Sequence, residues 1–574
     1  MKNWLFREAT TTSPPASWTE TLCISPTLLE LLWRRGFQSK EDIENFLSSR
    51  LNTLTPPKKW PNIPEAAKIL VKNLINGKKL LIWGDYDVDG ITSTTLVLDV
   101  LEFHNIQASY HLPDRKSEGY GLNISKIDDW HQKGCEILLT VDCGISDITA
   151  IQHARDLGMT VIVSDHHLPP DTLPNANAIC NPRINDNLSP CPNLAGVGVA
   201  FYLMAEVNNL LAKHTNKKYK MDNCLDLVAL GTLADVMNLL GENRILVRAG
   251  LSRLENTNRP GIAALKTVCG FDPASKINST QVVYRIAPKI NAAGRMSNAE
   301  LGIKLLRAKD HSMAINLANQ LDDLNNKRKS EEEYIFFQAT EQATQLQAKK
   351  NYSSLVLYGK DWHPGIIGIV ASRIVELFYK PTVILCDDNN TLKGSARSIP
   401  SFDLHAGLSE TSEYLLNFGG HKLAAGLRLE PGRLESFREA FDQTAKNMIP
   451  KEYILPQLTI ECELDFSKAV EQCFLKELDL LQPFGAGNPE PIFASPPLIL
   501  KDRSPLGYNK ENILLRVQDT KSNITLQAKA WKMANIFPPS LVGKTIQIAY
   551  TPKIDTYNGI PSVNLDIKDW RFPE

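Results

Sequence analysis

From Lys78 onward the chain alternates short, almost wholly apolar runs with longer mixed ones. The runs "KKLLIWGDYDVDG", "IQASYHLPDR", "CEILLTVDCG" and "TVIVSDHH" each end in a polar cluster, and "ITSTTLVLDVLEFH" and "ISDITAIQHARDLG" between them read as helices. Continuous apolar strands separated by helical patterns predict βαβ units and a parallel sheet covered on both faces. Ligands of such sheets gather outside the carboxyl ends of the strands. "VGVAFYLMAEVNNLLAKH" and "CLDLVALGTLADVMNLL" follow as helices that complete this α/β domain.

Elsewhere the pattern changes character. Before residue 60, "LLELLWRRGFQSKEDIENFL" reads as two short helices around Gly36. Residues 299–349 contain no proline and no glycine after Gly302, which predicts long connecting helices. The charge run "NNKRKSEEE" inside them reads as a solvated helix face. A second α/β pattern begins at "SSLVLYGKDWHPGIIGIVASRIVELFYKPTVILCDD", and beyond residue 450 come short strands with turn signals, about five in number. These predict a small barrel, the OB-fold being one candidate. The expected division is 1–60 lead-in, 61–298 first α/β domain, 299–349 connecting helices, 350–450 second α/β domain and 451–574 barrel.

Bulk properties narrow the function classes. A chain of 574 residues with 43% hydrophobic and 22% charged positions is an ordinary multi-domain globular protein. No apolar run reaches the ~18 residues that span a bilayer, and the first residues lack a signal-peptide core, so a cytoplasmic protein without membrane contact is expected. Ten cysteines, none in a C-x-x-C pair, predict reduced structural thiols and no thiolate zinc site. A net charge of -1 leaves a polyanion to be met by local cationic patches.

Candidate chemistry lies where the apolar runs stop. Asp85, Asp87 and Asp89 follow the first strand, Asp142 another, and Asp165, His166 and His167 the last. In a parallel sheet these ends share one rim, where unbalanced carboxylates repel one another and divalent cations are the natural counter-charge. Carboxylates with one or two imidazoles and no thiolate suit Mn2+ or Mg2+. Two such ions sharing a carboxylate activate water against a phosphate ester. Taken singly the motifs say little: a His-His pair is more often loop chemistry, and "DYDVDG" lacks the closing acid of a calcium loop. An aspartate such as Asp235, after a helical run, is commonly a cap.

"GDYDVDG", "VDCG", "SDHH" and "LGTLADVM", in this order and spacing, resemble the four motifs of the DHH phosphoesterase superfamily, and "GSARS" with "FGGHKLAAG" resembles the DHH-associated domain. With the barrel and the chain length, residues 60–574 are similar to the superfamily's single-strand-specific exonuclease branch. The resemblance implies two ions, Mn2+ or Mg2+, held by Asp87, Asp89, Asp142, His166 and Asp235, with Asp142 as bridge and His167 close to the scissile phosphate. Trp83 stands where many relatives have a metal-binding histidine, and Asp85 is expected to compensate. Arg115, Arg295, Ser395 and Arg397 are implied to contact DNA phosphates, including the 5′ end, and Gly419, Gly420 and His421 to lie near the nucleotide. Trp531, Tyr508, Tyr550 and Tyr557 are candidates for stacking bases on the barrel.

The implied activity is metal-dependent 5′-to-3′ hydrolysis of single-stranded DNA to 5′-mononucleotides in repair and recombination, with a helicase and a single-strand-binding protein as partners. Two other readings stand beside it: a DHH phosphodiesterase for short oligonucleotides or cyclic dinucleotides, and a non-catalytic DNA-binding scaffold. The barrel and lead-in argue against the first, and the full set of candidate ligands against the second.

Overall fold

The computed structural model describes residues 2–8, 13–115, 117–184, 188–450, 453, 455–507, 511–555 and 562–573. The chain forms two compact units. One comprises Ser48–Lys329 with the short segment Pro483–Pro489, and the other Met1–Leu47, Ser330–Gln482 and Glu490–Glu574. No helix among the described residues is long and apolar enough to cross a membrane.

The first unit is built on five strands: β1 (Lys79–Gly84), β2 (Ala108–His111), β3 (Cys135–Val141), β4 (Thr160–Ser164) and β5 (Ala178–Cys180). They lie in the order β2-β1-β3-β4-β5, every pair parallel. The parallel sheet inferred from the apolar runs is therefore present. β5 is an addition: "AIC" is too short to register as a strand against the longer runs before it.

Helix α1 (Val88–Phe103) is buried on nearly every side, including Thr92, Ser93, Thr94 and Thr95. It packs against α2 (Gly196–Thr215) and α3 (Leu225–Ala234). A helix apolar or small all round belongs in a core. The Thr92 and Thr95 hydroxyls meet that demand by donating to the carbonyls of Val88 and Ile91, at 2.8 and 2.7 Å. The first turn of α1 is thereby fixed, and with it the acids that start the helix.

In the other unit, β6 (Leu355–Tyr358), β7 (Thr382–Asp388), β8 (Thr391–Arg397), β9 (Asn417–Gly420) and β10 (Ala424–Leu429) form a sheet in the order β9-β10-β8-β7-β6. Five further strands close a barrel: β11 (Leu498–Leu506), β12 (Asn512–Asp519), β13 (Thr525–Ala530), β14 (Thr545–Asp555) and β15 (Ser562–Arg571). Pairings β11–β12, β12–β13, β13–β15, β15–β14 and β14–β11 complete the ring, with β13–β15 alone parallel, the connectivity of an OB-fold.

The lead-in helices Pro26–Arg34 and Lys40–Ser48 form as expected, and the long connection is the 39-residue helix His311–Lys349. Preceding them, Asn3–Phe6 pairs in parallel with Gln457–Ile460, and Trp4 Nε1 donates to Asp569 at 2.9 Å. The lead-in is thus tied to the C-terminal region, a long-range pairing that local pattern cannot reveal. Of the barrel aromatics, Tyr550 is wholly buried, its hydroxyl donating to the Leu464 carbonyl at 2.8 Å, so it is core and offers no base-stacking face. Trp531 is half exposed, and Tyr508 and Tyr557 lie outside the described residues.

Candidate metal centre

The first strand of the sheet runs straight into α1, and Asp87 caps that helix by accepting the Gly90 N–H at 3.0 Å. Gly90 leaves room for the backbone of Asp85, which lies only 2.4–2.7 Å from where a Cβ would stand. Asp89, one residue into the helix, points back to accept the N–H groups of Gly196 and Val197, at 2.9 and 2.8 Å. The positive end of the α2 dipole therefore orients this carboxylate.

Asp142 leaves β3 with φ +62°, a left-handed conformation that aspartate tolerates better than most residues. Its N–H continues the ladder to the Ser164 carbonyl at 2.9 Å, so the turn tips its side chain onto the rim. A methyl group at Gly196 would come within 2.4 Å of Asp142 Oδ1, and one at Gly231 within 2.7 Å of Asp89 Oδ1. These glycines, in "AGVG" and "LGTLAD", are what admit the carboxylates, and the residue reading passed over both.

His166 Nε2 lies 3.1 Å from Asp142 Oδ1, 3.6 Å from Asp235 Oδ2 and 3.9 Å from Asp89 Oδ2. Donors about 2.1 Å from one Mn2+ or Mg2+ and at right angles to each other stand roughly 3 Å apart, which is this spacing. Among the described residues, three groups have ligand atoms that all lie within 4.8 Å of one another: Asp89, His166 and Asp235; Asp142, His166 and His167; and Asp85, Asp87 and Asp142. Asp142 is common to the last two and so links the histidine side of the rim to the Asp85 side. Among the described residues, no hydrogen-bond donor serves the buried Oδ1 atoms of Asp85 and Asp142. Buried acceptors left open in this way fit a cation.

Electrostatics agree. Burial and then mutual repulsion push the carboxyls of Asp85, Asp89 and Asp142 well above their ordinary range. Asp235 is raised to about 7 by burial and the charge of Asp87. Burial, then the neighbouring His167, lowers the His166 ring to about 3, keeping it a neutral ligand. For His167 burial works in the same direction, but the hydrogen bond and charge of Asp165 outweigh it and raise the ring to about 9.

Asp165 takes no part in the ligand groups. Almost wholly buried, it accepts the N–H groups of Ile145 at 2.9 Å, His166 at 2.7 Å and His167 at 3.1 Å, and the His167 Nδ1 at 2.8 Å. The aspartate that opens "DHH" shapes the turn and orients the second histidine. Trp83 is wholly buried behind the rim. Asp235, at the end of α3, does come to the rim, and Val236 after it holds φ +54°, a strained conformation for a β-branched residue.

Helix Ala287–Met296 packs on the first acidic loop: Asn291 Oδ1 accepts the Val88 N–H at 3.1 Å, and Gly294 admits the Tyr86 carbonyl. Arg295, on the same helix, feels the charges of Arg115, Arg328 and Asp87, and burial with these cations lowers it to about 10. Arg115 lies 5.4 Å from the Tyr86 ring centre. These two arginines therefore flank the acidic loop. The other candidates belong to the second unit. Ser395 and Arg397, on β8, face Gly368 near the start of helix Ile367–Phe378, where a Cβ would lie 2.9 Å from Ser395 Oγ and 3.2 Å from the Arg397 guanidinium. Across the strands Ser395 is in register with Gly426 and Gly426 with Gly419, and His421 follows Gly420 at the exposed end of β9.

Residues 79–232 match the model of the DHH family, N-terminal domain, residues 351–447 that of the DHHA1 domain, and residues 460–569 that of the RecJ OB domain. The chain is 35% identical to the single-stranded-DNA-specific exonuclease RecJ of Haemophilus influenzae, covering 94% of this chain and 95% of the relative. It is 33% identical to the RecJ of Bacillus subtilis, covering 96% and 69%. Among solved structures, RecJ from Thermus thermophilus in complex with Mn2+ superposes with a TM-score of 0.83 at 28% identity, covering all of this chain and 80% of that one. Its complex with Mg2+ gives 0.77 at 27% identity, covering 100% and 79%.

Proposed function

The chain belongs to the RecJ family of single-stranded-DNA-specific exonucleases, and on that premise we propose that it is itself a metal-dependent exonuclease degrading single-stranded DNA from the 5′ end to 5′-mononucleotides. The observation that carries this is the meeting of Asp85, Asp87, Asp89, Asp142, His166 and Asp235 on one rim, with ligand atoms at coordination spacing. Asp89, His166 and Asp235 would hold one Mn2+ or Mg2+, Asp85 and Asp87 the second, and Asp142 both. Bound there, the ions supply a water of lowered pKa and neutralise charge on the attacked phosphate.

The protein's own groups do the rest. Asp165 fixes the His167 ring through Nδ1, and the charged ring, side chain 39% exposed and with the Tyr120 hydroxyl 3.5 Å from Nε2, would turn that Nε2 donor to a non-bridging phosphate oxygen when the strand binds. Arg115 and Arg295 grip phosphates beside the acidic loop, and the Arg397 fork with Ser395 binds the terminal 5′ phosphate. Gly419, Gly420 and His421 lie along the nucleotide. Water attacks phosphorus, the P–O3′ bond breaks, and the shortened strand keeps a 5′ phosphate. A cytoplasmic role in DNA repair and recombination, beside a helicase and a single-strand-binding protein, is part of the same proposal.

The test uses purified full-length protein with Mn2+ or Mg2+ and matched single- and double-stranded substrates labelled at either end. Metal-dependent release of mononucleotides from single strands, beginning at the 5′ end, is expected. Equal activity on dinucleotides and long strands, or degradation from the 3′ end, overturns the proposal.

A further inference from the structure

The fifth strand brings one more side chain to the rim. β5 pairs in parallel with β4, Ser164 beside Cys180, so Asn181, Pro182 and Arg183 emerge at the edge where β4 delivers His166 and His167. Asn181, only 7% exposed, spans the two turns: its Nδ2 donates to the His167 carbonyl at 2.9 Å, and its Oδ1 accepts the Arg183 N–H at 2.8 Å. One buried amide therefore ties the backbone of Arg183 to that of His167.

Among the described residues the Arg183 side chain meets no anion. Its Nε is shielded from solvent and has no hydrogen-bond partner, and the guanidinium forms no ion pair among the described residues. A shielded N–H on a permanent cation is costly unless an acceptor arrives. Its charge reaches the centre, contributing to the lowering of His166 and opposing the raising of Asp235.

We propose that Arg183 is a phosphate-binding residue of the metal rim, its guanidinium donating to a backbone phosphate of the bound single strand, with Asn181 as its positioning residue. This rests on the exonuclease reading. The planar fork bonds two phosphate oxygens at once, which a lysine ammonium cannot reproduce. Arg183 would add a contact on the His166 side of the centre, across the sheet from β2, which leads to Arg115.

The test compares parent, Arg183→Ala, Arg183→Lys and Asn181→Ala as full chains. Fluorescence anisotropy with a single-stranded oligonucleotide in EDTA, where hydrolysis is blocked, gives affinity across a salt series, and calorimetry gives Mn2+ binding. Arg183→Ala should weaken strand binding by about tenfold to a hundredfold and reduce the slope of log affinity against log salt by roughly 0.7, one phosphate contact on a single strand. Arg183→Lys should restore the slope and only part of the affinity. Asn181→Ala should fall between parent and Arg183→Ala, and Mn2+ binding should be parental in all. Unchanged affinity and slope in Arg183→Ala overturn the proposal, as does a loss of Mn2+ binding, which would mark a structural role. If the parent binds Mn2+ yet neither binds nor cuts single strands, the exonuclease reading itself falls.

Discussion

Replacing Gly196 with alanine puts one methyl group into the centre from behind. Its Cβ would stand 2.4 Å from Asp142 Oδ1, 2.8 Å from Cγ and 2.9 Å from Cβ, roughly 1 Å inside an ordinary contact. Neither side retreats easily. The Asp142 backbone is in a left-handed turn with its N–H on the Ser164 carbonyl, and the Gly196 N–H is held by Asp89 at 2.9 Å. Overpacking of this kind costs about 1–3 kcal/mol. Gly196 is the first residue of α2, so the helix propensity of alanine, a helix-interior effect, offsets little of that; the fold should survive with a modestly lower melting temperature. The carboxylate, however, must swing, and disturbing a group that orients a ligand typically costs roughly 10- to 100-fold in metal affinity or activity. Calorimetric Mn2+ titration, thermal melts and rate against Mn2+ concentration are the assays. Gly432→Ala, where nothing lies within 4 Å of the new methyl, serves as the control. A Gly196→Ala protein that binds Mn2+ within twofold of the parent and degrades single strands at the parental rate would refute the reasoning.

Asp142→Asn should abolish most hydrolysis at any Mn2+ concentration, whereas Asp85→Asn should be partly rescued by excess metal; near-normal turnover of a folded Asp142→Asn protein would end the shared-ligand assignment. Arg397→Ala should remove about 1.5–3 kcal/mol of interaction with a terminal phosphate, read as loss of preference for a 5′-phosphorylated over a 5′-hydroxyl strand in initial rates; a preference left intact would show that the anchor lies elsewhere. In the metal-free protein the melting temperature should fall as pH rises from about 6.5 to about 9. His167, raised to about 9, is charged in the folded state where the unfolded chain has lost its proton, so its stabilisation drains away over that window. The raised carboxyls of the rim act in the same direction, and His166, neutral in both states above the ordinary histidine value of 6.5, is silent there. Melts of chelator-treated protein against pH check this, the Mn2+-induced gain should widen as pH rises, and a flat or rising metal-free curve would refute it.

What was legible in the sequence was local. Apolar runs of five to seven residues gave β1, β3 and β4, and because all the strands are parallel their terminal acids had to share a rim. Alternation and turn residues gave a barrel, and the absence of glycine and proline after Gly302 gave the long helix. Motif order joined Asp235 to the set despite its bland helical context. Tertiary structure decided what depends on approach between distant segments. It divided the work inside "SDHH", giving Asp165 three backbone N–H groups and leaving His166 to the other acids. It gave Gly196 and Gly231 their purpose, since a glycine's value lies in what stands opposite it. It sent Tyr550 into the barrel core, which period alone cannot separate from a stacking face, and paired Asn3–Phe6 with Gln457–Ile460 across the length of the chain. Through a three-residue strand with almost no signal of its own, it also carried Arg183 to the rim. Period and propensity act over a few residues, whereas a site of this kind is assembled by packing between residues far apart in the chain.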